Sequence, residues 1–288
     1  MTLQDETVGI ARKHALQLVH VEEKLRVFWE VSIQHFFLQC PRLLTWINWV
    51  YSFIHIPGTI AFLVWLYHYT SSKPESPAGP RLYQARRRTL AACNLLAFMF
   101  FTVWPCMPPR LLSDKTVKGP DGDLARKYGF VDTVHGANGA GSVWTENRFC
   151  SQYGESHAFL FPCVVQTLIV PAAMPSLHFG YALLIGVTIM TIPLAQQPQR
   201  HFPWRRLLCC LVGFCYPLLI LVAIVATANH FILDAVAGAL ICALGWSCNG
   251  ILLNLLPLED YFLSSLRIHK PEPCNWTDEG HGEDTLPP

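Results

Sequence analysis

In Asn229-His230-Phe231-Ile232-Leu233-Asp234 a carboxylate follows an imidazole by four residues, at the edge of a charge-free apolar stretch. Four residues is about one helical turn, so one helix face carries both groups. The carboxylate then accepts the proton of one ring nitrogen and leaves the other free to attack or to coordinate. A second histidine stands in Ala173-Met174-Pro175-Ser176-Leu177-His178. Pro175-Ser176 reads as a helix start, whose unpaired amides attract anions. Ser176 either caps that helix or donates to a phosphate oxygen, and His178 on the first turn faces the same polar mouth. Arg110 follows Trp104-Pro105-Cys106-Met107-Pro108-Pro109 at the end of another apolar stretch. Together these residue types suggest phosphoryl chemistry at a membrane surface. Each also has a plainer reading, Arg110 as a snorkelling arginine and His178 as a packing histidine. Asp234 resists one, because a carboxylate inside an apolar run costs on the order of 2.5–3.5 kcal/mol on insertion scales.

The elements that hold these groups are expected to be membrane helices. The chain has 288 residues, 52% hydrophobic and 14% charged, where soluble domains carry about 25% charged residues. Five stretches lack Asp, Glu, Lys and Arg for long enough to span roughly 30 Å of hydrocarbon, at approximately 47–69, 90–109, 173–194, 207–228 and 231–256. The expected fold is all-α, a polytopic membrane helix bundle of five transmembrane helices, or six with a span upstream, and an N-terminal amphipathic helix. The expected domains are an interfacial segment (1–46), a membrane-embedded domain (47–258) and a polar, disordered tail (259–288). Residues 8–40 are read as an interfacial helix, with Glu22, Glu23, Lys24, Arg26, Glu30 and Gln34 on its polar face. The last two stretches are joined by a tight turn around Asn229. Residues 1–30 are polar and unlike a secretory leader, so the first span is expected to serve as the insertion signal.

Loop charge sets the orientation. Residues 71–89 and 195–206 read as basic loops carrying Lys73, Arg81, Arg86, Arg87, Arg88, Arg200, Arg205 and Arg206, which positive-inside places in the cytoplasm. Arg110, His178 and His230 then meet on the opposite, non-cytoplasmic face. The sequon Asn275-Trp276-Thr277 lies on the cytoplasmic side and is expected to be unmodified. Arg12, Lys13, Lys24 and Arg26 fall on the non-cytoplasmic side, a conflict that an upstream span would remove. The net charge of +1 leaves no footprint for nucleic acid. The 11 cysteines form no C-x-x-C pair and read as small apolar packing residues. No zinc site is expected.

Ala172-Ala173-Met174-Pro175-Ser176-Leu177-His178-Phe179-Gly180 followed by Thr227-Ala228-Asn229-His230-Phe231-Ile232-Leu233-Asp234 resembles the second and third signature motifs of the type 2 phosphatidic acid phosphatase superfamily. Trp104 through Leu112 resembles the first motif of its inositol phosphorylceramide synthase-like branch, and Glu30-Val31-Ser32-Ile33-Gln34 is also similar to that branch. The resemblance implies a phosphohistidine on His230, with Asp234 orienting its ring. It implies His178 as the acid for the leaving oxygen, and Arg110, Ser176 and Asn229 as substrate-binding groups. It implies a lipid-phosphate substrate, no metal and no cofactor, and residence in the endomembrane system or plasma membrane.

Two departures from the family bear on function. Phosphatases of the family have an arginine six residues before the nucleophilic histidine, where this chain has Ile224, and the phosphatase-type lysine upstream of Arg110 is absent from 90–109. Synthase-like transferases share the missing arginine, which favours transfer to a lipid acceptor over hydrolysis. Residues 154–171 also interrupt the lead into the second motif. They read as a retained intron or as a loop insertion. Two other classes compete, a transporter with intramembrane histidines and a catalytically inactive scaffold.

Overall fold

The computed structural model describes residues 3–72, 79–113, 119–133, 173–194 and 204–268. Residues 154–171, the sequon and most of the expected tail lie outside them. Among the described residues the chain is helical, with no strand. The helices are α1 (Leu3–Leu25), α2 (Glu30–Leu38), α3 (Pro41–Trp49), α4 (His55–Ser71), α5 (Pro80–Val103), α6 (Pro120–Lys127), α7 (Leu177–Thr191), α8 (Trp204–Ala226), α9 (Ile232–Cys248) and α10 (Leu256–Ser265). A π-helical turn, Val50–Ile54, lies between α3 and α4.

Proline placement explains several boundaries. Pro80 starts α5 at a position where its missing N–H costs nothing. The helix therefore begins inside the stretch read as a basic loop, and Arg81, Arg86, Arg87 and Arg88 are helical. Arg205 and Arg206 likewise sit in the first turn of α8. Pro105 and Pro108 stop α5 at Val103, short of the expected 109, since proline lacks the donor and disfavours helix before it. Pro175 and Pro193 bound α7, leaving 15 helical residues. Among the described residues, two helical runs are long and apolar enough to cross a membrane, Trp204–Ala226 and Ile232–Ser265. On α8, Leu207, Leu208, Leu211 and Phe214 are all at least half exposed, an apolar surface of the kind that marks contact with lipid or protein.

The unit Met1–Asn249 is built around α7, which packs against α8 and α9, while α9 packs on α5 and α4 on both α5 and α7. Glycines set the closest approaches. A Cβ on Gly186 would collide with the Gly213 carbonyl of α8, and one on Gly238 of α9 with the Ser176 carbonyl. A Cβ on Gly180 would lie 3.0 Å from the Gly238 oxygen. The helices that carry His178 and Asp234 therefore meet almost backbone to backbone. Where α5 crosses α9, the Arg86 guanidinium lies 3.4 Å over the Trp246 ring. The unit beginning at Gly250 contains α10, on which Tyr261 and Phe262 make an edge contact.

The N-terminal helices depart from the interfacial reading at three positions, while Glu23, Lys24 and Arg26 are exposed as expected. Glu22, Glu30 and Gln34 are fully buried, whereas Phe36 is 58% exposed. In α1, Ala11, Ala15, Leu18, Val19 and Glu22 share one buried face, packed with Cys106, Met107, Leu112, Ala228 and Phe231. Arg26, at φ 59°, turns the chain after α1, with the amide of Val27 returning to the Glu22 carbonyl at 3.0 Å. That turn leads directly into α2, which begins at Glu30.

Gly238→Ala is expected to cost about 1–3 kcal/mol, the usual range for overpacking a tight contact. Gly9→Ala, on an exposed helical position with open space around it, is expected to stabilise by roughly 0.5–1 kcal/mol. Thermal unfolding of the two variants in detergent should shift the midpoint in opposite directions.

Candidate active site

The site forms where three loops meet. The first is Trp104–Ser113 after α5, the second is Ala173–Ser176 before α7, and the third is Thr227–Phe231 between α8 and α9. Backbone hydrogen bonds tie them together. The Ala173 amide donates to the Cys106 carbonyl, the Arg110 amide to Ala228 at 2.9 Å, and the Ser176 amide to Asp234 at 2.9 Å. From α1, the Ala11 carbonyl accepts from the Met107 amide at 3.1 Å, and His14 stacks on Trp104 with centroids 4.0 Å apart.

The turn that carries His230 is closed by Ala228, which adopts a left-handed φ of 51°. The amides of Asn229 and His230 both return to the Ile224 carbonyl, at 3.0 and 3.2 Å, the arrangement that ends many helices. His230 therefore precedes α9 instead of lying on it, and the pairing is made by a turn and the first helical turn, not by one helix face as the spacing suggests. Asp234 reaches back from the third helical position. Its Oδ2 accepts the Phe231 amide at 2.9 Å and lies 3.5 Å from His230 Nδ1. Asp234 is fully buried and His230 is 7% exposed. With Nδ1 on the carboxylate side, Nε2 is the nitrogen available for chemistry.

His178 lies on the first turn of α7, its ring centroid 5.6 Å from that of His230. Ser176 takes the capping role of its two possible ones: its Oγ accepts the Phe179 amide at 3.4 Å. The Asn229 side chain is buried in the turn and donates to Thr227 Oγ1 at 2.6 Å. Arg110 sits on a short 3-10 turn, Pro109–Ser113, with Nη1 3.7 Å from Asp132. Gln34 fixes the segment that carries Asp132. Its Nε2 donates to the Val131 carbonyl at 2.7 Å, and its Oε1 accepts the Val131 amide at 3.0 Å.

Several neighbours escaped the reading of the sequence. His55 is buried, lies 5.2 Å from His178 by ring centroids, and has Nδ1 3.0 Å from Tyr216 Oη. Tyr51 packs on His178 at 4.7 Å. Both come from the first expected span, where a histidine and a tyrosine among apolar residues carry no local signal. Tyr216 also lines a cavity of about 570 Å³ between α4, α7 and α8, with Ile54, Phe62, Trp65, Ile189 and Val212 in its apolar wall. Glu22 and Glu30 reach the start of α9, where Glu22 Oε1 accepts the Leu233 amide and Glu30 Oε1 the Ile232 amide, each at 2.8 Å. Among the described residues, no group of three His, Cys, Asp or Glu side chains is placed to hold a metal ion.

A family model described as the PAP2 superfamily matches residues 16–248. The chain belongs to that superfamily, and membership supports phosphatase- or phosphotransferase-type chemistry. No curated protein and no solved structure matches the chain.

Gln34→Ala removes both hydrogen bonds to Val131, and the structure leads us to expect a loss of about 1–3 kcal/mol, the range for unsatisfied buried polar groups. Thermal unfolding in detergent measures it, and Gln34→Glu, which keeps the acceptor but not the donor, should fall between wild type and alanine.

Proposed function

We propose that this chain is an integral membrane phosphotransferase that acts on a lipid-linked phosphate through a phosphohistidine at His230, as in the inositol phosphorylceramide synthase-like branch. The observation that carries the reading is the His230–Asp234 pair at 3.5 Å with the His178 ring beside it. In the first half-reaction, Nε2 of His230 attacks phosphorus and the bond to the leaving lipid oxygen breaks. His178 gives that oxygen its proton, and Asp234 balances the positive charge that develops on the imidazole. In the second, an acceptor hydroxyl attacks the phosphohistidine, His178 takes its proton, and the phosphorus–nitrogen bond breaks. Arg110 and the amino end of α7 at Ser176 hold the phosphoryl oxygens, and Asn229 braces the turn behind the nucleophile.

Ile224 supports transfer to a lipid over hydrolysis. The position that bears an arginine in the family's phosphatases is here fully buried among Val50, Ala182, Ile220, Val225 and Ala235, so no second cation reaches the phosphate from it. The cavity beside Tyr216 supports a lipid substrate, because its volume is that of an ordinary ligand pocket and its wall is apolar. The remaining proposed features are five membrane crossings within 47–258, basic segments in the cytoplasm, and the histidines on the opposite face of an endomembrane or plasma membrane.

The test is turnover by protein purified in detergent, with phosphatidate, a prenyl diphosphate, or phosphatidylinositol plus ceramide. Headgroup transfer to ceramide is the expected product, and phosphate release from the first two would assign a phosphatase instead. His230→Ala is expected to abolish turnover, and His178→Ala to lower kcat by roughly 10²–10⁴. Turnover that survives both substitutions would contradict the mechanism. Ile189→Trp should raise KM for long-chain lipids and leave short-chain analogues unaffected.

A further inference from the structure

Glu22 and Glu30 have no part in the phosphoryl transfer drawn above, yet both are fully buried and both end on the helix that carries Asp234. They come from different helices, α1 and α2, and reach adjacent amides of α9 at the same distance of 2.8 Å. Those amides are orphan donors of a helix start, and a carboxylate is their strongest partner. The other oxygen of each carboxyl, Oε2, is buried with no hydrogen-bond partner. Two carboxylates buried on neighbouring amides repel when both are ionised, and one proton on an Oε2 removes a charge and supplies a donor.

We propose that Glu22 and Glu30 act as a one-proton clamp that positions the His230–Asp234 pair. The shared proton lets both side chains approach α9 at once, which fixes the first turn of the helix and the reach of Asp234 back to His230. The proposal rests on the reading of His230 as the reacting group. Asp234 faces the clamp from α9, with His230 beyond it, and Cys106 faces it from the loop after α5. Burial, with Glu30 beside it, pushes the Glu22 carboxyl up to about 9 from its ordinary 4.5. The proton is therefore held through the neutral range. For an acid raised on folding, the folded state binds more protons between the two values. Stability is fully present below about 4.5 and is lost progressively as pH rises through about 9. Loss of the proton leaves adjacent buried charges beside Asp234 and opens the clamp.

The experiment uses full-length wild type, Glu22→Gln and Glu22→Ala in detergent, with thermal midpoints and kcat followed between pH 5 and about 9.5. Glutamine keeps the oxygen for Leu233 and a donor toward Glu30, so it imitates the protonated carboxyl. The wild-type midpoint is expected to fall as pH rises, while Glu22→Gln stays flatter and keeps its kcat at the alkaline end. At pH 7, Glu22→Gln should remain within about threefold of wild type, and Glu22→Ala should lose at least about tenfold in kcat at similar KM. The clamp is overturned if Glu22→Gln follows the wild-type pH dependence, or if it loses as much kcat as alanine. If Glu22→Ala does not fold, the glutamine comparison alone decides. His230→Ala serves as the reference: turnover in that variant rejects the phosphoryl reading, while the midpoint slopes still decide the clamp.

Discussion

Three consecutive amides at the start of α9, those of Phe231, Ile232 and Leu233, donate to the carboxyls of Asp234, Glu30 and Glu22 at 2.9, 2.8 and 2.8 Å. A helix start leaves such donors unpaired, and burial without partners costs several kcal/mol in hydrocarbon. Satisfying them forces two acidic residues from the first 30 positions into the interior, and much else follows. The N-terminal helices pack as part of the domain, with Ala11, Ala15 and Val19 against the loop that leads to Arg110. Asp234 is held where it meets His230. The backbone of the same residue accepts from Ser176, so the capped helix end also locates the start of α7 and His178.

Rigidity of this kind suits a site that acts mainly by placement. Close glycine contacts between α7 and α9 leave little freedom for His178 to move relative to His230. Arg110 sits on a short 3-10 turn with Asp132 at 3.7 Å. On the proposed function, an incoming phosphate would offer the guanidinium a closer, charge-assisted partner than Asp132. On that proposal Asp132 would give way to substrate, and Gln34, by gripping Val131, holds the segment that carries it.

The residues that meet at the candidate site were more legible than the architecture. The four-residue spacing of His230 and Asp234, and Pro175-Ser176 ahead of His178, are local patterns that survive any packing. Residues paired over long separations left no such trace. Glu22 and Glu30 look like the polar face of a surface helix until α9 is known to end against them, and Gln34 looks the same until Val131 is its partner. His55, Tyr51 and Tyr216 are single polar groups in apolar stretches, and only tertiary packing brings His55 and Tyr51 to His178 and Tyr216 to His55. Helix lengths misled in the other direction. Charge-free runs measure hydrophobicity, while Pro105, Pro108, Pro175 and Pro193 decide where helices stop.

The proposed function requires a covalent phosphoryl group on His230. Its most direct test is reaction of the purified protein with a lipid phosphate labelled with ³²P, quenched in alkaline detergent, followed by mass spectrometry, kept at neutral to alkaline pH, of the peptide around residues 227–234. An acid-labile, alkali-stable phosphoryl group on His230, absent from His230→Ala and raised in amount when the acceptor is withheld, is the predicted result. Turnover with no label on His230, or label that persists in His230→Ala, would contradict it.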